Sequence, residues 1–231
     1  MMLTHVVAMI IALSAVASDV AEPPKPAPVT DEVRIAQAYL LPSCPISNKA
    51  VGSMNDVATR TFDGRAVMVC CPPCFDRYER TPEKYKDKID RQVIEAQLAT
   101  YPLTTCLASG RPIDVKGTPT NAVYGNRLMR FCCGGCANYV IQDHARLSKA
   151  MKTLDAAVVA KQAPTYTSKT CPISGEELGD DAVDVVVGGS MVRVCCDSCQ
   201  QKIVKSPRMV IDLVVGCAAP TSAETQDDPQ I

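Results

Sequence analysis

Thirteen cysteines dominate the chemistry available to this 231-residue chain. Twelve of them form three sets of four: Cys44, Cys70, Cys71, Cys74; Cys106, Cys132, Cys133, Cys136; and Cys171, Cys195, Cys196, Cys199. The first two sets share one internal spacing, and the third is two residues shorter before its Cys-Cys pair. Cys217 stands alone. In each set a C-x-x-x-C step (Cys70 and Cys74, Cys132 and Cys136, Cys195 and Cys199) puts two sulfurs on one side of a strand-to-helix turn. The distant Cys44, Cys106 or Cys171 folds back to meet them. Thiolates at a helix N-terminus are stabilised by the dipole, which favours metal binding. Sulfur coordination selects soft ions, Zn²⁺ or Cu⁺, up to three per chain.

A second reading pairs the same cysteines as disulfides, two per unit. Spacing favours the metal. Adjacent cysteines bond to each other only with strain, and each unit offers just one distant partner. The remaining bridge would close a C-x-x-C loop, more often a redox motif than a structural one. Cys71-Pro-Pro-Cys74 is a candidate redox dithiol, but the βαβ context of such motifs is missing. The second cysteine of each pair also has a plain reading as core: on a continuing strand, Cys71 shares a face with Val67 and Val69, and Cys133 with Met129 and Phe131.

The rest of the composition removes other chemistry. Histidine occurs only at 5 and 144, which excludes most schemes with a His base and repeated Cys/His fingers. His144 reads as a surface helix residue. Lys plus Arg number 24 against 25 Asp plus Glu, so no electrostatic footprint for nucleic acid is visible. Seven Tyr, three Phe and no Trp argue against one large core.

The elements that must position the sulfurs repeat with them. A tyrosine precedes each first Cys by five residues (Tyr39, Tyr101, Tyr166), a serine follows it by three (Ser47, Ser109, Ser174), and Thr81, Asp143 and Ser206 follow each last Cys as helix caps. Between first and second Cys, β-prone runs flank turn signals: 57–62 and 65–70 around Asp63-Gly64, 120–124 and 127–132 around Gly125-Asn126, 182–187 and 191–195 around Gly188-Gly189-Ser190. A short helix begins at each last Cys, and longer ones are expected over 82–100, 144–161 and 207–215. The fold class is α+β: three small cysteine-cluster domains, each a β-hairpin followed by one or two helices.

The expected organisation is a secretory signal at 1–18, whose apolar run 6–16 is short and ends in small residues; a Pro-rich leader at 19–38; repeats at 39–100, 101–165 and 166–217; and a disordered acidic tail at 218–231. No later stretch is apolar enough to span a membrane, so no stable span remains after signal cleavage. The expected location is periplasmic or secreted.

Three stretches carry a family resemblance. Tyr101-Pro-Leu-Thr-Thr-Cys106-x-x-Ser-Gly with Phe131-Cys132-Cys133-Gly-Gly-Cys136 resembles the YHS/TRASH-type heavy-metal-binding domains. Cys171-Pro-Ile-Ser174-Gly with Val194-Cys195-Cys196-Asp-Ser-Cys199 is similar, as is Cys44-Pro-Ile-Ser47 with Val69-Cys70-Cys71-Pro-Pro-Cys74. The resemblance covers 39 to about 215 and implies a small zinc-finger-like fold binding zinc, copper or related ions. Its core pattern maps onto Cys44/Cys70/Cys74, Cys106/Cys132/Cys136 and Cys171/Cys195/Cys199. Relatives with four ligands begin C-x-x-C, where this chain has Ser47, Ser109 or Ser174. The fourth ligand is then Cys71, Cys133 or Cys196, or the position is open. The expected function is an exported, non-enzymatic metal-binding protein for storage, delivery or resistance. Its expected partners are metal ions, with another exported protein as a further candidate. The alternatives are a disulfide- or zinc-stapled interaction module and a thiol redox protein.

Overall fold

The computed structural model describes residues 30–51, 58–210 and 213. The signal-like run, the prolines at 22–28, Cys217 and the acidic tail lie outside the described residues. The chain opens with α1 (Asp31–Gln37). Unit one follows with β1 (Ala58–Phe62), β2 (Arg65–Val69), α2 (Pro73–Arg80) and α3 (Pro82–Leu98). Unit two has β3 (Thr120–Tyr124), β4 (Arg127–Phe131), α4 (Gly134–Ile141) and α5 (His144–Gln162). Unit three has β5 (Val183–Val187), β6 (Ser190–Val194), α6 (Asp197–Lys205) and a closing 3₁₀ turn, Pro207–Val210. Each hairpin is its own two-stranded antiparallel sheet, so the class is α+β with three hairpin-plus-helix units.

Two-residue loops set the hairpin registers. The closing pairs are Phe62 with Arg65, Tyr124 with Arg127, and Val187 with Ser190. Ser190 therefore belongs to β6 and not to the turn. Asp63-Gly64 and Gly188-Gly189 have positive φ at both positions, whereas in the second loop only Gly125 does. These are the requirements of I′ and II′ turns. All three outgoing strands stop one residue before the Cys-Cys pair. The second cysteine thus leaves the strand and is half-buried, which overturns its reading as a core residue on a continuing strand.

Of the three expected caps Asp143 acts as one, its carboxylate accepting from the Arg146 N–H at 2.9 Å. Thr81 makes no side-chain cap bond and instead donates to the Arg77 carbonyl. Ser206 precedes a 3₁₀ turn at Pro207–Val210; of the helix expected over 207–215, Leu213 is helical, and 211–212 and 214–215 lie outside the described residues. Removing the cap in Asp143→Ala is expected to lower stability by about 1 kcal/mol, against a few tenths for Thr81→Ala, read by urea unfolding of the two variants. His144, expected on the surface, is half-buried, and its Nε2 lies buried without a partner.

A two-stranded hairpin is marginal alone, and each one buries its inner face on helices. Val67 and Val69 meet Phe75, Tyr78, Ile89 and Val93; Met129 and Phe131 meet Leu147, Met151 and Leu154; Val192 and Val194 meet Ile203 and Val204. The cores are not separate beads, however. Residues 31–38, placed with the leader by sequence, supply α1, which packs into the second and third units, and the segment that follows it reaches the first. Val33 and Ala36 enter the second core, Ile35 and Leu40 the third, and Tyr39 and Leu41 the first. Because units surround this segment on several sides, its apolar residues show no single helical stripe.

Each long helix also closes on the following hairpin. At the end of α3, the Gln97 amide donates to the Asn126 carbonyl at 2.9 Å and accepts from the Leu128 N–H at 2.9 Å. At the end of α5, Gln162 repeats this on the Gly189 carbonyl at 3.0 Å and the Met191 N–H at 2.7 Å. The middle hairpin turn is locked further. The Asn126 N–H donates to the Ala36 carbonyl at 2.6 Å, and its amide donates to the carbonyls of Gln37 and Ala66. Arg65, ion-paired with Asp90, donates to the Gly125 carbonyl. Arg127 pairs with Asp155 of α5 at 3.0 Å.

Candidate metal centres

Each centre is built from a tight loop and a strand-to-helix turn. After the first cysteine the chain doubles back. The N–H of Cys44, Cys106 or Cys171 donates to the carbonyl of Lys49, Arg111 or Glu176, five residues on, at 2.8, 2.8 and 2.7 Å. The residue four on donates back to the cysteine carbonyl and has positive φ: Asn48, Gly110 and Gly175. Asn and Gly are the residues that tolerate this conformation. Bridges Ser43 to Ala50, Thr105 to Pro112 and Thr170 to Glu177 close the loop base. At the other side, the N–H of Cys74, Cys136 or Cys199 donates to the carbonyl three residues earlier and opens the helical turn. The repeated tyrosines brace the frame. Tyr101 and Tyr166 hydroxyls accept from the N–H of Arg130 and Arg193, whereas Tyr39 donates to the Ser43 carbonyl.

These turns bring together Cys44, Cys70 and Cys74; Cys106, Cys132 and Cys136; and Cys171, Cys195 and Cys199, with the three sulfurs of each group within 4.8 Å of one another. The C-x-x-x-C sulfurs are 4.0, 3.7 and 3.8 Å apart. A tetrahedral Zn²⁺ with bonds of about 2.3 Å needs sulfurs about 3.8 Å apart, so the donor set and its spacing fit such an ion. Cys71, Cys133 and Cys196 fall outside the groups, although the Cys71 sulfur lies 3.3 Å from Cys74 and the Cys196 sulfur 3.6 Å from Cys195. All twelve cysteines of the three sets are free thiols.

The electrostatics divide labour within each group. Burial opposes ionisation of Cys106, but the Ser109 hydroxyl and the N–H groups of Cys132, Ser109 and Ala108 outweigh it and bring the thiol to about 6. The same balance, with Ser47 or Ser174 and the equivalent N–H groups, brings Cys44 to about 7 and Cys171 to about 6. Four of their partners go the other way. Burial and the neighbouring sulfurs push Cys136 up to about 12 and raise Cys74 as well, and burial with Cys171 and Cys196 raises Cys199 against the opposing hydrogen bond of Cys195. At Cys195 a hydrogen bond with Ser174 favours the thiolate, yet burial and adjacent thiols prevail, to about 12. Each centre thus holds a ready thiolate beside at least one thiol that resists a second charge. A cation reverses that resistance.

The repeated serines are part of this machinery rather than vacated ligand positions. Ser47, Ser109 and Ser174 hydroxyls contact Cys70, Cys132 and Cys195 at 3.1, 3.8 and 3.4 Å. Two charged neighbours escaped the sequence reading. Lys116 donates to the Cys133 sulfur at 3.8 Å, and Glu176 accepts from the Cys195 thiol at 3.4 Å. The only sequence signal for Glu176 was its place in the repeat register, where Lys49 and Arg111 stand in the other units.

No protein-family model, curated protein or solved structure matches the chain. Among the described residues no helix is long and apolar enough to cross a membrane.

Proposed function

We propose that the chain is an exported metal-binding protein that captures zinc or copper ions as cargo on three thiolate centres, for storage, delivery or resistance, and that it is not an enzyme. The observation that carries this reading is the threefold recurrence of one geometry: a thiolate stabilised by N–H groups and a serine, facing two further cysteine sulfurs at coordination spacing. Capture displaces the protons of the remaining thiols. The half-buried Cys71, Cys133 and Cys196 at the rim of the sites supply a path for ligand exchange. The motif likeness to TRASH/YHS domains supports the same reading, and export rests on the apolar run at 6–16.

Titrating the full reduced chain with Zn²⁺ or Cu⁺ is expected to reach three ions by native mass spectrometry, with protons released at neutral pH. A plateau at zero rejects the reading. The first centre, with all three sulfurs buried, favours a second role there: a staple for its hairpin. In that case chelation loosens the first unit's hairpin, measured by amide exchange over β1 and β2.

A further inference from the structure

The three centres share a backbone but differ in the side chain five residues after the first cysteine. Lys49 and Arg111 occupy that position in units one and two, and Glu176 in unit three, with the same N–H to carbonyl bond in all three. Only in unit three does this place an anionic oxygen at the sulfurs. Glu176 Oε2 lies 3.4 Å from the Cys195 sulfur and 3.3 Å from the Ser174 hydroxyl, which donates to it. In a tetrahedral site with Zn–S of about 2.3 Å and Zn–O of about 2.0 Å, sulfur and oxygen ligands are about 3.5 Å apart. The carboxylate therefore stands at ligand distance from one sulfur, on an exposed side chain free to swing toward the other two.

We propose that Glu176 is the fourth ligand of the third centre, which makes that centre a three-sulfur, one-oxygen site selective for Zn²⁺ over Cu⁺. This rests on the metal-capture reading above. Carboxylate oxygen is a regular Zn²⁺ donor, whereas Cu⁺ is selected by soft sulfur donors. In units one and two the equivalent residues are cationic and offer no donor, so those centres remain sulfur-only and suit Cu⁺. The chain is thereby a carrier of unlike sites.

The test uses the full reduced chain and competition with a chromophoric chelator. Wild type is expected to hold one equivalent of Zn²⁺ at least tenfold tighter than the next two. Glu176→Lys removes that tight equivalent, with at least a tenfold loss of affinity, and leaves the Cu⁺ capacity at three. Arg111→Glu, made at an exposed position, is expected to add a second tight Zn²⁺ equivalent. X-ray absorption of the one-equivalent Zn²⁺ form is expected to show oxygen at about 2.0–2.2 Å beside sulfur at about 2.3 Å, with the oxygen lost in Glu176→Lys. Three equal Zn²⁺ sites in wild type, or a sulfur-only shell unchanged by Glu176→Lys, overturn the assignment and leave metal capture standing. Binding of neither ion by wild type overturns metal capture itself.

Discussion

Replacing Cys136 by serine in the full chain is expected to weaken the second centre by about 3–5 kcal/mol, roughly a third of the ~10–16 kcal/mol of a whole structural zinc site. Cys136 is one of three sulfurs that already lie within 4.8 Å of one another, and serine offers a hard donor in place of a soft one. Cys133→Ser is expected to cost much less, on the order of 1 kcal/mol, because its sulfur lies outside the group and is half-exposed. Competition titration of each variant decides the matter. Equal losses for Cys133→Ser and Cys136→Ser would show a closed four-sulfur site and remove the exchange position from the proposed carrier. The whole chain must be used, since residues 101–165 alone lack α1 and α3, which pack on the second hairpin.

The largest stability effect outside the centres is expected at Gly125. Its φ is +58°, and a Cβ there would stand 2.6 Å from the Ala36 carbonyl oxygen and 2.8 Å from the Gln37 Cα. Both are backbone atoms of the α1 end that the Asn126 N–H also holds, so neither can step aside cheaply. Gly125→Ala combines left-handed backbone strain of about 1–3 kcal/mol with overpacking of about 1–3 kcal/mol. Gly110→Ala is the control. Its φ is +68° but nothing lies within 4 Å of the added methyl, so only the strain applies. Thermal unfolding of the two metal-free variants should rank Gly125→Ala clearly below Gly110→Ala. Equal melting points would mean that α1 and the middle hairpin are not locked together.

What the sequence determined by itself is the part of this protein governed by neighbours along the chain. Hairpin turns depend on residues that accept positive φ, and Asp63-Gly64, Gly125-Asn126 and Gly188-Gly189 announce them. The C-x-x-x-C step is read directly from spacing, as is the repetition of the whole unit three times. Alternation in β2 and the Pro at the start of α3 are equally local. The tertiary structure alone decided what those units do to one another. Nothing in the order Asp31 to Gln37 says that Val33 and Ile35 enter different cores, because the stripe that marks an amphipathic helix assumes a single partner surface. Cys71, Cys133 and Cys196 look as good as their neighbours in a list of spacings. They leave the three groups because the strands end before the pair and the chain turns after it. Gln97, Gln162 and Glu176 acquire their roles across 29, 27 and 19 residues of chain. Such roles depend on which surfaces are buried together, and burial is settled only when the three units close around residues 33–41.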